Sequence, residues 1–591
     1  MPTNLLEPRD RTPSGQAHGE RIRLARVWRL LRPYWFSEDR WPARSLLALV
    51  IALTLGGVWL TVLLAQWNRL FFDALQEKNY SAFVGLLGRF GVLAVLYIAT
   101  AVYALYCSQM LQIRWRRWLT ERYSRDWLAG RAYYLLQLEA SRVENPEQRI
   151  QDDIGIVTSL TLDLLTGVLN SVATLGSFVV MLWVLSGTLP LRLLGISIVI
   201  PGYMLWVAIL YAALGSVLTH FVGRALIGIN FDLQRYDAEF RFRMIRIREN
   251  AEGVALSRGE ADEELQLKAA FGNIWRTWWR LMKAQRRLTF FSAGYGQAAM
   301  VFPIIVAAPR YFAGVLSLGG LTQTGLAFGQ VQSSLSWFVD AYPRIAQWTA
   351  SVNRLIGFDE ALDRVQQLSK FPAALGVTPS PTSSLIVKDM QLSLPDRRSI
   401  LDHVSVCIDA GDRVVVSGPS GSGKSTLFRA LAGIWPYGSG TVSMPNGKRI
   451  LFLPQRPYLP IATLREVLSY PGRPDGHGDA ALELALSDAG LSRLIDRLDE
   501  QANWSLELSG GEQQRIGFAR AFVYRPDWLF LDEATSAVDE AMEEALYAQL
   551  QQRLPALTMI SVAHRAAVAK FHHRRLTLRP ETRSIEDGVV A

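Results

Sequence analysis

The sequence predicts a two-part fold: six membrane-spanning helices, then a C-terminal α/β domain organised around a phosphate-binding loop. Three observations predict it. Six stretches free of Asp, Glu, Lys and Arg are each long enough to cross a bilayer, Lys and Arg crowd into alternate connections, and a glycine-rich loop follows a strand-like run in the last third. Composition agrees, since 50% of the 591 residues are hydrophobic and only 19% charged, against about 25% charged in soluble domains. Only Cys107 and Cys407 occur, so neither a disulfide framework nor a cysteine metal site is indicated. The first twenty-two residues lack the short apolar core of a secretion signal and read as a cytosolic tail.

A membrane helix needs about 20 apolar residues to cross about 30 Å of hydrocarbon. The candidate spans are residues 45–68, 90–112, 164–191, 193–222, 289–309 and 311–339, with the polar turn from Ser186 to Pro190 outside the bilayer. The sixth carries Gln323, Gln330, Gln332, Ser333, Ser334 and Ser336, which lipid penalises but a neighbouring helix or a watery cavity accepts. That span is expected to face inward. Tyr97, Tyr103, Tyr106, Gln109 and Asn170 join Gln323, Gln330 and Gln332 as candidate cavity residues, with helix–helix hydrogen bonding as the alternative.

Cytoplasmic connections carry the excess of Lys and Arg. Residues 1–44, 113–163 and 223–288 hold nine, eight and thirteen, thirty in all, whereas the alternate loops hold five: Arg69, Lys78, Arg89, Arg192 and Arg310. Both termini are therefore expected in the cytosol. The net charge of +9 is explained by topology, and no nucleic-acid partner is called for. Both cytosolic excursions are long. In the first, Pro146 of the run 142–149 is suited to open a short helix; in the second, residues 249–260, Gly253 and Gly259 are read as breaks. Each is either a solvated charged loop or an element that touches the C-terminal domain. Residues 366–382, with three prolines, have linker composition. The expected division is a tail over 1–22, a transmembrane domain over 23–365, this linker, and a nucleotide-binding domain over 383–591.

Beyond the linker, β-rich runs at 413–417, 528–531 and 558–562 alternate with helical ones, as in an α/β domain. The first leads into Gly418-Pro-Ser-Gly421-Ser-Gly423-Lys424-Ser425-Thr426, a phosphate-binding loop in the required strand–loop–helix setting. Its glycines let backbone N–H groups turn around phosphates, and the next helix presents its positive end to them. Lys424 is suited to the outer phosphates and Ser425 to Mg2+. About a hundred residues on, the apolar run from Trp528 ends in Asp532-Glu533. Asp532 is suited to hold Mg2+ through water, and Glu533 to polarise an attacking water.

Leu508-Ser509-Gly510-Gly511-Glu512-Gln513 resembles the signature of ATP-binding cassette proteins. The resemblance extends across the domain, with Gln455 in Leu-Pro-Gln-Arg-Pro, Ser536-Ala-Val-Asp539, and His564 in Ser-Val-Ala-His-Arg. It implies that Ser509, Gly510 and Gly511 of one chain close over ATP held by the loop of another, with Asp539 at the dimer contact. It also implies that Gln455 senses Mg2+ and His564 contacts the γ-phosphate. One copy of each half-site per chain makes a homodimer with two composite ATP sites the simplest assembly. Many cassette domains stack adenine on an aromatic residue ahead of the loop, yet residues 372–427 contain no Phe, Tyr or Trp. Arg397 or Arg398 is the candidate substitute, through a cation–π contact.

Six spans ahead of a cassette, with long cytosolic extensions, resemble the exporter-type fold, which does not fix direction. The runs 67–75, 113–119, 145–149 and 452–458 resemble SbmA/BacA-like bacterial transporters fused to an ATPase and, more distantly, peroxisomal fatty-acyl transporters. SbmA is proton-driven and lacks a cassette, so ATP is the energy source implied here. The resemblance implies ATP-driven movement, by uptake, of peptides or other bulky hydrophilic solutes, cobalamin-like ones included, across the bacterial inner membrane. A fatty-acyl or lipid transporter, an exporter, and a membrane-anchored regulatory ATPase are the alternatives.

Overall fold

A computed structural model describes residues 24–138, 145–193, 196–368, 375–380, 382–473, 476–563 and 565–590. The chain forms two compact units, Met1–Ser124 with Asn145–Phe358, and Arg125–Glu144 with Asp359–Ala591. The second grouping is informative. Residues 125–138 of the first long excursion group with the C-terminal domain rather than with the helices that flank them in sequence.

The first unit is helical. A short α1 (Leu24–Leu31) precedes α2 (Arg40–Gln76) and α3 (Tyr80–Leu128); α4 (Ala132–Leu138), in the first excursion, belongs to the second unit. Then follow α5 (Ile154–Ser186), α6 (Tyr203–Glu249), the short α7 (Ala251–Leu256), α8 (Glu260–Phe312) and α9 (Leu318–Leu368). At about 1.5 Å per residue, the 53 residues of α8 reach far beyond the membrane on at least one side. Helices α6 and α8 pack along one another, and a tyrosine pair locks them. The Tyr211 and Tyr295 rings stack at 4.5 Å, and each hydroxyl donates to the other's backbone carbonyl, at 2.7 and 2.9 Å.

Among the described residues, five helices are long and apolar enough to cross a membrane: α2, α3, α5 with its preceding turn, α6 and α8. Helix α9, read as the sixth span, is as long but carries the glutamines and serines. Its Gln323 is only 4% exposed, and its amide lies 3.5 Å from the Met181 Sδ on α5. Gln332 donates to Ser336 of its own helix at 3.2 Å. Gln332 is therefore engaged within its own helix, whereas the Gln323 Oε1 is buried with no hydrogen-bond partner among the described residues, and Tyr97, Tyr103 and Tyr106 are exposed on the single chain.

Four sequence expectations change here. Residues 193–201 do not begin a helix: β1 (Thr188–Leu193) and β2 (Ile196–Pro201) form an antiparallel hairpin, and the helix starts at Tyr203. The β-branched run Ile196, Ile198, Val199 and Ile200 favours a strand. Gly187 (φ 61°) and Gly202 (φ 63°) take the left-handed backbone that closes the hairpin. The break between the last two long helices lies at residues 313–317, not at Arg310, because two in-helix prolines are accommodated and α8 runs on to Phe312. Gly253 lies inside α7 rather than breaking it, a cost of about 1 kcal/mol that a six-residue turn tolerates. The run read as linker is helical to Leu368 and supplies strand β3 (Gly376–Ser380), parallel to a strand of the next domain. Pro146 does open a short helix, Pro146–Gln148; residues 142–144 and the tail lie outside the described residues.

A π-helical turn over Arg149–Asp153 leads into α5. It turns Asp153, 2% exposed, toward Arg354 on α9, with the guanidinium Nε 2.9 Å from the carboxylate, and toward Arg149 at 3.2 Å. Breaking one partner of such a buried pair strands a charge and costs several kcal/mol.

The second unit is α/β. It has β4 (Leu385–Ser393), β5 (Ser399–Ile408), β6 (Arg413–Ser417), α10 (Lys424–Leu431), β7 (Gly438–Pro445) and β8 (Ile450–Leu453). A two-strand pair, β9 (Ala462–Thr463) with β10 (Gln501–Ala502), brackets α11 (Leu464–Ser469) and α12 (Asp479–Asp488). Helix α13 (Gly510–Tyr524), β11 (Trp528–Asp532), α14 (Glu540–Arg553), β12 (Thr558–Val562), β13 (Arg574–Arg579) and β14 (Ser584–Val589) complete it. The main sheet runs β14-β13-β6-β12-β11-β8, and a smaller one runs β3-β7-β4-β5. Strands β6, β12, β11 and β8 are parallel and nearly continuous in apolar residues, as a sheet buried on both faces requires. All three strands read from the sequence are therefore central, and their C-terminal ends collect the loops that carry the site.

Candidate functional site

Strand β6 delivers the chain into the loop at Gly418, and α10 begins at Lys424. Gly418, Gly421 and Gly423 have φ of 150°, 78° and 94°, which side-chain-bearing residues rarely adopt. Gly423 is also sterically obligatory, because a Cβ there would come within 2.3 Å of Ile400 Cγ2 on β5. Lys424 is 6% exposed, and its ammonium donates to the carbonyls of Gly418 and Pro419, both at 3.0 Å. Burial lowers its pKa, partly offset by the nearby carboxylates Glu533 and Asp532. A half-desolvated cation held across the loop is poised for an anionic ligand.

Ser425 Oγ donates to Asp532 Oδ1 at 3.1 Å, joining the first turn of α10 to the end of β11. Burial raises the Asp532 pKa, with Ser425 opposing. These two hard oxygen donors converge in a desolvated setting that disfavours a bare carboxylate charge, a donor set that fits Mg2+. Thr426 follows in the same turn of α10. At Glu533 the backbone turns left-handed (φ 50°), and its carboxylate accepts from the Gln455 amide at 3.2 Å. Gln455 therefore sits with Glu533, a contact the sequence reading had not anticipated, and also lies 3.4 Å from Ser536 Oγ.

The signature forms a second cluster. Ser509 caps α13 in a reciprocal capping box with Glu512, aligning the helix N-terminus. Gly511 approaches the backbone so closely that a Cβ would lie 2.7 Å from Ala537 O. Asp539 caps α14 by accepting from the Met542 N–H at 3.0 Å. Among the described residues, no hydrogen bond or ion pair joins Ser509, Gly510 or Gly511 to the phosphate loop of the same chain. His564 lies outside the described residues. Its neighbour Arg565 donates to Val538 O at 2.7 Å, so the end of β12 is tied to the loop before α14.

Sequence reasoning missed Gln514. It is 5% exposed, donates to Gln455 O at 2.9 Å and Ser536 Oγ at 3.0 Å, and accepts from Ala537 N–H at 2.9 Å. It welds the loop bearing Gln455 to the loop after Glu533. The available signal was a polar residue on the face of α13 that otherwise carries Gly517, Phe518 and Ala521 inward. Arg131 was also missed: it donates to Ala432 O and Gly433 O at 3.2 and 2.9 Å, capping the C-terminal end of the helix that begins at the phosphate loop. Arg397 and Arg398 are exposed in the turn joining β4 to β5.

A strand–loop–helix phosphate cradle, a half-buried Ser–Asp pair, and a glutamate held by a glutamine define a phosphate-loop ATPase joined to a membrane-helical half. Two family models match, one described as ABC transporter transmembrane region 2 over residues 30–312 and one as ABC transporter over residues 401–536. The inner membrane ABC transporter ATP-binding protein YddA of Escherichia coli is 32% identical, over 93% of this chain and 96% of its own. ABC transporter D family member 2, chloroplastic, of Arabidopsis thaliana is 31% identical over 94% and 86%. The human lysosomal cobalamin transporter ABCD4 is 26% identical over 94% of each. A solved ATP-bound bacterial Atm1-family ABC exporter shares the fold, with a TM-score of 0.71 at 20% identity over 92% of this chain and 95% of that one. The chain belongs to the ABC transporter family, in the company of its D members. Its C-terminal domain binds ATP, and hydrolysis there is coupled to transport.

Proposed function

We propose that two copies of this chain form an ATP-driven transporter in the bacterial inner membrane, importing peptides or other bulky hydrophilic solutes, cobalamin-like molecules included. The observation that carries the hydrophilic cargo is helix α9, read as a sixth crossing that is too polar for lipid. Its Gln323 keeps a buried Oε1 with no partner among the described residues, and Gln330 and Ser333 lie on the same span. A wall of that kind requires water or polar solute beside it. The printed functions of the relatives point the same way, since one is named for cobalamin. A fatty-acyl or lipid cargo is the second reading, favoured by the likeness to D-family members. The SbmA/BacA-like grouping and cytosolic placement of both termini belong to this proposal, the latter on the thirty-to-five charge count.

In the motor, Lys424 and the loop N–H groups bind the outer phosphates. Ser425, Asp532 and Gln455 would hold Mg2+, which supplies charge neutralisation at the phosphates when bound. Glu533 orients the attacking water and accepts its proton, held in place by Gln455, and His564 contacts the γ-phosphate. Ser509, Gly510 and Gly511 close the site from the partner, which explains why a single chain leaves them apart from its own loop. The test is ATP-dependent uptake into oriented vesicles of labelled peptides, cobalamin and acyl-CoA. Peptide or cobalamin flux supports the reading, acyl-CoA flux selects the second, and absence of flux with any of the three, beside intact ATPase activity, returns the chain to a regulatory role.

A further inference from the structure

The segment ahead of the first long helix has two faces of opposite character. Its inner face is bolted to the helical unit. Val27 and Leu30 are buried at 6% and 5% exposure, and Tyr34 is fully buried, its ring stacked on Trp115 of α3 at 5.6 Å. Asp39 pairs with Arg114 of α3 at 3.2 Å. The outer face bears Trp28, Phe36 and Trp41, 60%, 59% and 69% exposed, among the exposed arginines 26, 29, 32, 40 and 44.

These groups are ordered by one another. Arg44 donates from Nε and Nη2 to Trp35 O, at 3.1 and 2.8 Å, which holds its guanidinium 5.0 Å from the Phe36 ring and 6.0 Å from the Trp41 ring. Arg32 approaches the Phe36 ring at 5.1 Å. Helix α2 runs unbroken from Arg40 to Gln76, and its uncharged stretch starts at Ser45. At about 1.5 Å per residue, Arg40 and Arg44 lie within about 8 Å of the hydrocarbon edge, the depth of the headgroup layer.

Bulk water disfavours three large exposed aromatics together, and hydrocarbon disfavours five arginines; the headgroup zone accommodates both. Five cations face two acids in residues 24–44, and Asp39 is already committed to Arg114. Phe36, flanked by two guanidiniums, has no room to attract a choline cation. We propose that residues 24–44 form a binding surface for anionic phospholipid headgroups of the cytoplasmic leaflet, with Arg29, Arg32 and Arg40 as the phosphate donors and Trp28, Phe36 and Trp41 as the interfacial anchors. This rests on the cytosolic placement of the N-terminus proposed above.

The test uses the full-length protein in mixed phosphatidylcholine–phosphatidylglycerol micelles, with retained lipids counted by native mass spectrometry, and in nanodiscs with and without phosphatidylglycerol, with hydrogen exchange read over residues 24–44. Wild type is expected to enrich phosphatidylglycerol over its bulk ratio, with slower exchange in its presence and loss of both effects in high salt. Each arginine near the surface is worth about fivefold, so R29Q/R32Q/R40Q lowers retention by about a hundredfold, and the charge-preserving R29K/R32K/R40K keeps the enrichment. Enrichment that survives the glutamine variant, or bulk lipid ratios in wild type, overturns the proposal. Labelling of Glu20→Cys from either side of the membrane reports the topology separately, so a wrong orientation is distinguishable from absent lipid recognition.

Discussion

Replacing Gln514 by Met separates positioning from folding in the ATP site. The substitution keeps volume and helix propensity while removing the amide that donates to Gln455 O and Ser536 Oγ and accepts from Ala537 N–H. A hydrogen bond contributes about 0.5–1.5 kcal/mol net, so three would total a few kcal/mol. Ser536 and Ala537 are exposed, and water replaces part of what they lose. The expected stability cost is about 1–2 kcal/mol, or about 2–8 °C in the melting temperature of a domain this size. That leaves the domain folded. Turnover should fall much further, because Gln455 holds Glu533 at 3.2 Å, and a displacement of about 1 Å at a catalytic group costs about a hundredfold. Gln514→Glu should be worse than Met, since it sets a carboxylate oxygen against the Gln455 carbonyl. Phosphate release from the protein in lipid nanodiscs, beside thermal unfolding, measures both quantities. A Met variant that turns over at the wild-type rate refutes the idea that Gln514 aligns the two loops.

Glu533→Gln and Lys424→Ala should each lower ATP turnover by at least about a hundredfold. The first should also trap an ATP-bound closed dimer, visible as nucleotide retained through gel filtration; wild-type hydrolysis in either contradicts the site. Gly511→Ala should abolish hydrolysis while the domain stays folded, because the new Cβ would meet Ala537 O at 2.7 Å and push α13 from the loop it abuts; unchanged turnover would show that contact to be dispensable. His572, 5% exposed between Val568 O and Ser561 Oγ, has its pKa lowered by burial to about 4. The unfolded chain binds that proton near pH 6.5. The contribution is therefore complete above about pH 6.5 and lost progressively as pH falls toward about 4, for a total of about 3 kcal/mol. Thermal unfolding across that window should show the slope in wild type and a flatter one in His572→Gln.

The motor was legible because phosphate chemistry is written in contiguous runs. The loop at 418–426 and the acids ending β11 act through neighbours in sequence, so pattern and spacing identified them, and the run from Leu508 to Gln513 was identified by its resemblance to the cassette signature. Gln514 and Arg131 act on groups far away along the chain, Gln455 and Ala432 among them, and no local pattern reports such a bond. In the helical half, apolar length found α2, α3, α5, α6 and α8 but misplaced the start of α6, since residues 193–201 are apolar whether helical or extended. Periodicity cannot arbitrate in a run that is hydrophobic throughout.

By itself, the sequence determined a membrane-helical half followed by a phosphate-loop ATPase, because solvation sets the length of a span and phosphate geometry sets the spacing of its cradle. Only the tertiary structure decided that residues 188–193 and 196–201 pair as antiparallel strands, that Asp153 is buried between two arginines, that Gln514 ties the loop bearing Gln455 to the loop after Glu533, and that part of the first excursion packs with the ATPase. Each of those depends on which distant groups share a desolvated space, and that is a property of packing rather than of order along the chain.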